Sequence, residues 1–217
     1  MVRSTDDARF WDKIARRYAA DPIKDIAGYE RTLDRTLHYL SSTDTVLEFG
    51  CGTGTTALRL APHVSRMVAA DLSGEMIKIA REKATAQDCP NAEFAIATPE
   101  HAPWPDSSFD AVLAFNVLHL IAERASALAH VRRLLKPGRL FISKTPCLAE
   151  MNPFVRLAVP VLRLVGKAPY VAFFSAAELE RDIESAGFTI IERARHASKR
   201  KDERIFIVAR TTDSGCR

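Results

Sequence analysis

The most constraining feature of this chain is a junction. The apolar run Thr45-Val46-Leu47-Glu48-Phe49 enters Gly50-Cys51-Gly52-Thr53-Gly54, and a helical pattern follows from Thr55 to Leu60. A glycine-rich turn between a strand and a helix aims backbone N–H groups at a single point beside the helix N-terminus. Gly50 and Gly52 carry no side chain that would keep a ligand away. On its own the G-x-G-x-G spacing is common; the strand before it and the helix after it give it meaning.

The β-then-helix alternation continues down the chain. Residues 66–70 read as a second strand ending at Asp71, and Ser73 caps a helix running to about Ala86. Residues 93–97 form a third strand. The fourth, 109–115, is almost wholly apolar, as expected of a parallel strand covered on both faces. A helix over 125–135 closes at Lys136-Pro137-Gly138, and 139–144 make a fifth strand. Two amphipathic helices precede all of this, with Phe10, Ile14 and Tyr18 on one face and Tyr29, Leu33, Leu37 and Leu40 on the other's; Asp21-Pro22 separates them. Ser175 to Glu178 reads as a capping box opening a late helix, followed by strands at 188–193 and 204–210.

The pattern predicts an α/β fold: a doubly wound, mostly parallel seven-stranded sheet with helices on both faces, N-terminal helices and an apolar insertion after strand 5. A single domain is expected over 1–217, with a helical cap (1–43), a ligand-binding core (44–146), a lid-like insertion (147–174) and a C-terminal helix with two strands (175–211). In such sheets ligands bind beyond the carboxyl ends of the strands. The residues to watch are therefore Gly50 to Gly54, Asp71, Thr98 to Glu100, and Asn116 to His119.

Composition narrows the class. A 217-residue chain with 47% hydrophobic and 27% charged residues is ordinary globular material. Its net charge of +4 comes largely from the stretch 193–204, read as a solvated loop. The four cysteines, Cys51, Cys89, Cys147 and Cys216, are scattered, which argues against a disulfide framework or a metal site. The first residues do not read as a secretory signal, and prolines and charges interrupt the apolar stretch 153–174, so a membrane span is not expected. These points favour a cytoplasmic protein.

The acids around the loop discriminate between ligands. Asp71 follows the loop by about twenty residues, where a carboxylate can accept from both hydroxyls of a ribose. Glu48 lies two residues before Gly50. A carboxylate there would repel a dinucleotide pyrophosphate and attract an ammonium or sulfonium group. At this point the chain resembles the class I, Rossmann-like S-adenosylmethionine-dependent methyltransferases. Val46 to Gly54 is similar to their first motif. The likeness continues through Asp71-Leu72-Ser73 with Met76, Pro103-Trp104-Pro105-Asp106-Ser107-Ser108-Phe109-Asp110, Asn116-Val117-Leu118-His119 and Leu134-Leu135-Lys136-Pro137-Gly138. Within the family it most resembles the methyltransferase type 11 subgroup that includes ubiquinone- and menaquinone-biosynthesis enzymes.

The resemblance implies S-adenosyl-L-methionine as cofactor, released as S-adenosyl-L-homocysteine. It places backbone at Gly50, Cys51 and Gly52 around the methionyl part, Glu48 near its amino group and Asp71 on the ribose. Leu72 and Met76 would hold the adenine, and Asn116 and Val117 would line the sulfonium end. The chain departs from the family at Thr98, where many relatives carry an Asp for the adenine amino group; Thr98, Pro99 and Glu100 stand there instead. It departs again at Arg139, where a second glycine is usual.

Methyl transfer from a sulfonium is an in-line displacement needing alignment and exclusion of water more than proton transfer. His119 is the candidate base and Tyr18 a second candidate catalytic residue, with Tyr29, Tyr170 and His101 as further candidates for shaping the pocket. The expected acceptor is a small apolar or aromatic molecule beneath the insertion, whose Phe154, Leu157, Val161, Leu162, Leu164, Tyr170, Phe173 and Phe174 would form an apolar lid. Alternatives for the insertion are a dimer contact or peripheral attachment to lipid; the chain is expected as a monomer or homodimer. The competing functions are RNA, DNA or protein methylation and an NAD(P)-dependent oxidoreductase. Nucleic acid is disfavoured as a partner, because the basic loop lacks interleaved aromatics and Asn116 is followed by Val117-Leu118-His119 rather than Pro-Pro-aromatic.

Overall fold

In a computed structural model, residues 2–150, 168–198 and 204–212 are described. Two helices, α1 (Val2–Ala20) and α2 (Ile26–Leu37), come first. The alternating core follows: β1 (Thr45–Phe49), α3 (Thr55–Leu60), β2 (Arg66–Asp71), α4 (Gly74–Ala86), β3 (Ala92–Ile96), β4 (Phe109–Phe115), α5 (Arg124–Leu134) and β5 (Leu135–Pro146). The chain closes with α6 (Ala176–Ser185), β6 (Phe188–Ala194) and β7 (Arg204–Thr211).

The seven strands form one sheet in the order β3-β2-β1-β4-β5-β7-β6. The first five are parallel, and β7 enters antiparallel between β5 and β6. Each of the central strands buries side chains on both faces, so successive residues serve different cores. Leu47, Phe49, Val112, Ala114 and Phe141 pack with Leu128 and Val131 of α5 and Leu179 and Ile183 of α6. Val46, Met67, Leu113 and Ile142 pack on the other face with Leu33 of α2, Leu58 of α3 and Ile77 of α4. By the same alternation Glu48 and Lys144 belong to the α2–α4 side.

Strand β5 begins earlier than expected, at Leu135 rather than Arg139, and a register shift between Phe109 and Ala111 absorbs the Lys136-Pro137-Gly138 turn. The reason lies at the amino ends of the strands. Asp110 accepts from Thr45 N at 3.0 Å and Lys136 Nζ at 2.8 Å, and pairs with Arg139 at 3.1 Å. Those ties pull residues 136–139 against the sheet. Trp104 packs edge-on to both Phe49 and Phe109, so that part of the Pro103 to Asp110 motif is structural.

Two caps match the sequence reading. Ser73 Oγ accepts from Met76 N, and Ser175 with Glu178 forms a complete capping box. Helix α1 is held against α4 by Ala15, Met76 and Ile79 and by the two-pronged Arg16–Glu82 ion pair, at 2.7 and 2.9 Å. That docking brings the N-terminal segment over the carboxyl ends of the strands. Most of the apolar insertion, including Phe154, Leu157, Val161, Leu162 and Leu164, lies outside the described residues, as does the middle of the basic loop. Among the described residues no helix is long and apolar enough to cross a membrane.

Candidate functional site

The glycine loop is built by contact with a second loop. Gly50 sits at φ +67, and a Cβ there would lie 2.5 Å from the Cβ of Val117. Only glycine meets both demands, the left-handed backbone and the close approach. Cys51 N donates to Ala70 O at 3.0 Å, and Gly54 N to Cys51 O at 3.0 Å, closing the turn into α3. The partner loop is itself bent: Asn116 adopts φ +54, which asparagine tolerates better than most residues, and its N–H donates to Lys144 O at 2.7 Å.

Beside this loop lie two buried carboxyl groups. Asp71 accepts from Gly52 N and Ser73 N, both at 2.9 Å. Burial pushes its pKa up, and the N–H groups of Ser73, Gly52 and Leu72 oppose that shift. Glu48 is only 2% exposed, and its Oε2 has no hydrogen-bond partner among the described residues. Burial first, and the charge of Asp71 second, push its pKa up to about 8. Among the described residues neither acid has a Lys or Arg ion-pair partner. A buried, unsatisfied carboxyl costs a folded protein stability, so its retention beside a glycine cradle marks a place for a cationic or N–H-bearing ligand.

The two acids face a cavity of about 1130 Å³ at the carboxyl ends of the strands. Glu48, Gly50, Cys51, Gly52, Asp71, Leu72, Met76, Thr98, Pro99, Glu100, Asn116 and Val117 all line it. So do Tyr18, Tyr29, Tyr170 and His101. Tyr18, half exposed at 50%, hangs over the loop, with its Cε1 3.6 Å from where a Gly52 Cβ would stand. Burial and then the nearby Asp71 and Glu48 raise its pKa, so at neutral pH it is a hydrogen-bond donor, not a base.

His119 stands apart from this group. The cavity wall is made by its neighbours Val117, Leu120 and Ile121 rather than by His119. Its carbonyl accepts from Ala172 N at 2.8 Å, its Nδ1 is buried without a partner among the described residues, and burial pulls its pKa down to about 4. His119 lies within a short helical turn, Leu118–Leu120, which residue spacing alone did not reveal.

Other lining residues escaped the sequence reading. Asp7 and Trp11 of α1 reach the cavity; Asp7 Oδ1 accepts from Tyr170 N at 3.0 Å and ties the start of the chain to the end of the insertion. Asp12 reinforces the site from behind, accepting from Ser73 Oγ at 2.5 Å and Glu75 N at 3.1 Å. Thr32, Lys144 and Arg204 line the far side. Lys144 alone left a trace in the sequence: a charge closing the otherwise apolar strand Leu140-Phe141-Ile142-Ser143-Lys144.

Comparison with known proteins agrees with this geometry. Residues 46–138 match the family model described as a methyltransferase domain. An uncharacterized methyltransferase of Bacillus subtilis, YcgJ, is 32% identical over 142 residues, covering 62% of this chain and 56% of that protein. The ubiquinone/menaquinone biosynthesis C-methyltransferase UbiE of Francisella philomiragia is 34% identical over 99 residues, 44% of this chain and 40% of its own. The matched stretch thus spans about half the length of these curated relatives or less. In three dimensions the Bacillus YcgJ structure aligns with TM-score 0.70 at 19% identity, covering 85% of this chain and 100% of that one. A chain from the complex between the Haloferax volcanii Trm112 methyltransferase activator and the putative methyltransferase aligns with TM-score 0.79 at 18% identity, covering 97% and 99%. With the strand order, these likenesses show that residues 46–138 form a methyltransferase domain and that the described chain has the α/β fold of solved methyltransferase structures.

Proposed function

We propose that this protein transfers the methyl group of S-adenosylmethionine to a small, apolar or aromatic acceptor. One observation carries the reading: Glu48, buried and unsatisfied, lies with Asp71 at the glycine loop. A ligand with an ammonium at one end and a ribose in the middle satisfies both acids at once. Glu48 accepts from the ammonium and Asp71 from the ribose hydroxyls, while Gly50 and Gly52 let the backbone approach. Met76 and Leu72 offer a polarisable, apolar slot for the adenine. Thr98 to Glu100 stand at its rim in place of the acid that many relatives carry.

The bound cofactor supplies an electrophilic methyl group on a sulfonium. The chain aligns and dries the site. Asn116 and Val117, fixed by the tight loop contact, set the position of the reacting end. Tyr18 and Trp11 of α1 cover it, and Tyr170, anchored to Asp7, closes the side. Orientation of this kind accounts for roughly 7–11 kcal/mol in well-aligned intramolecular reactions. No protein base is needed in this scheme, and His119, which is not among the residues lining the cavity, is given no such role.

The cavity exceeds the ~300–1,000 Å³ usual for a single ligand site, which leaves room for an acceptor beside the cofactor. Calorimetric titration with S-adenosylmethionine and with NADH tests the cofactor, and NADH preference would overturn the reading. A methyl-transfer screen of quinol precursors, phenols, amines and ethanolamine lipids, run with His119→Ala alongside, tests the rest. Turnover should survive that substitution. Turnover only on RNA, DNA or protein would replace the small-molecule acceptor.

A further inference from the structure

The first turn of α4 is shared by two neighbours. Toward the cavity, Ser73 N donates to Asp71 Oδ1 at 2.9 Å, and Met76 forms part of the wall. Toward α1, Ser73 Oγ donates to Asp12 Oδ1 at 2.5 Å, and Glu75 N donates to the same oxygen at 3.1 Å. The hydroxyl is used twice, since it also accepts from Met76 N at 3.1 Å. Ser73 is fully buried, so its orientation depends on these partners. One serine thus joins Asp12 of α1 to Asp71 of the cavity.

Helix α1 divides its side chains between the same two directions. Asp12, Ala15 and Arg16, three or four residues apart, meet α4, while Asp7, Trp11 and Tyr18 line the cavity. Trp11 and Tyr18 meet edge-on at 6.2 Å, with Tyr18 over Gly52. The Arg16–Glu82 ion pair is exposed on both sides, and such pairs hold little. Asp12 differs from it in having a partner that also holds an acid of the cavity. The two carboxylates feel each other as well: after burial, the charge of Asp12 is among the causes that raise the pKa of Asp71. Donors from a ligand at Asp71 would relieve that repulsion and so favour a seated α1.

We propose that Asp12 is a positioning residue, which ties the seating of α1 over the cavity to cofactor binding at Asp71 through Ser73. Asp12 itself is not among the residues lining the cavity. The inference rests on the cofactor reading, in which Asp71 accepts from the ribose hydroxyls and Met76 flanks the adenine. A cofactor in that place braces the first turn of α4 from one side, and Asp12 braces it from the other. Coupling of this kind is reciprocal: what seats α1 tightens the cofactor, and the cofactor seats α1.

The test is amide hydrogen exchange of the whole protein, read over residues 10–20, with and without S-adenosylhomocysteine at concentrations that calorimetry shows to be saturating. In the wild type the ligand should slow exchange there by about tenfold or more. In Asp12→Ala that gain should fall to about threefold or less, with weaker ligand affinity. Asp12→Asn, whose side-chain oxygen still accepts from Ser73 and Glu75, should keep the gain. Arg16→Ala should speed exchange with and without ligand and also keep the gain, as befits a contact that only docks the helix. The inference is overturned if the ligand leaves wild-type exchange unchanged, a result that needs no variant to fold. It is equally overturned if Asp12→Ala keeps the full gain, if Asp12→Asn loses it, or if Arg16→Ala loses it as fully as Asp12→Ala. Failure of S-adenosylhomocysteine to bind the wild type counts against the cofactor reading instead, and is seen in the first titration.

Discussion

Buried acids lie at opposite ends of neighbouring central strands, and they are treated in opposite ways. At the amino ends, Asp110 of β4 is surrounded by Lys136, Arg139 and the N–H of Thr45. Burial works to raise its pKa, but those partners outweigh it and hold the carboxyl below its usual range. At the carboxyl ends, Glu48 of β1 and Asp71 of β2 are buried with no cation beside them among the described residues, and both are pushed upward. The first arrangement is complete in the folded chain and joins β5 to β1 and β4. The second is left unfinished, and an unfinished polar site in a glycine cradle is one a ligand completes. The contrast separates a motif residue that holds the fold from those proposed to bind the cofactor.

Four substitutions sharpen that contrast. The largest effect is expected from Gly50→Val, which puts a branched side chain 2.5 Å from Val117 at a positive φ. It should abolish detectable S-adenosylmethionine binding and cost about 2–5 kcal/mol in chemical denaturation. Glu48→Gln should weaken cofactor binding by roughly 10- to 150-fold, the worth of a charge-assisted hydrogen bond. The same variant should be more stable than wild type without ligand at pH 8, and the gain should fade toward pH 5. The sign follows from linkage. The unfolded chain releases this proton near 4.5 and the folded chain near 8, so folding loses stability as pH rises through that window, at most about 1.4 kcal/mol per unit. Glutamine has no proton to lose. Thermal melts of both proteins across pH 5–8 would expose a mistaken sign.

Asp71→Ala should weaken the cofactor at least tenfold, about 1.4 kcal/mol, by calorimetry. The smallest change belongs to the other end of the sheet. Asp110→Asn should lower stability by about 1–2 kcal/mol, discounted because Lys136 and Arg139 remain partly exposed, and leave cofactor affinity within twofold. A large loss of binding in that variant would show that the two ends are coupled, and the distinction between fold acid and site acid would fail.

Much of this arrangement was legible beforehand. The strand boundaries of β1 and β4, the Ser73 and Ser175 caps and the acids at 48 and 71 follow from local rules: apolar runs, helix caps and the spacing of a βαβ unit. What escaped were contacts made across the chain. His119 looked well placed after β4, yet it falls in a short helical turn and is not among the residues that line the cavity. Lys144 was only the last residue of the fifth strand in the sequence; its hydrogen-bond partner Thr32 comes from α2, more than a hundred residues earlier.

The sequence by itself determined that a glycine loop, opened by Glu48 and answered by Asp71, follows the first strand of an alternating α/β chain. Those features depend on neighbours within about twenty-five residues, and local stereochemistry decides them. Only the tertiary structure decided that α1 would dock on α4 and lay Tyr18 over the loop, and that Glu48 would be buried rather than solvated. It alone brought Lys144 and Arg204 into the cavity that Glu48 and Asp71 face. Each of those outcomes comes from packing segments distant in the chain, where the burial of apolar surface sets the geometry and polar groups are carried with it.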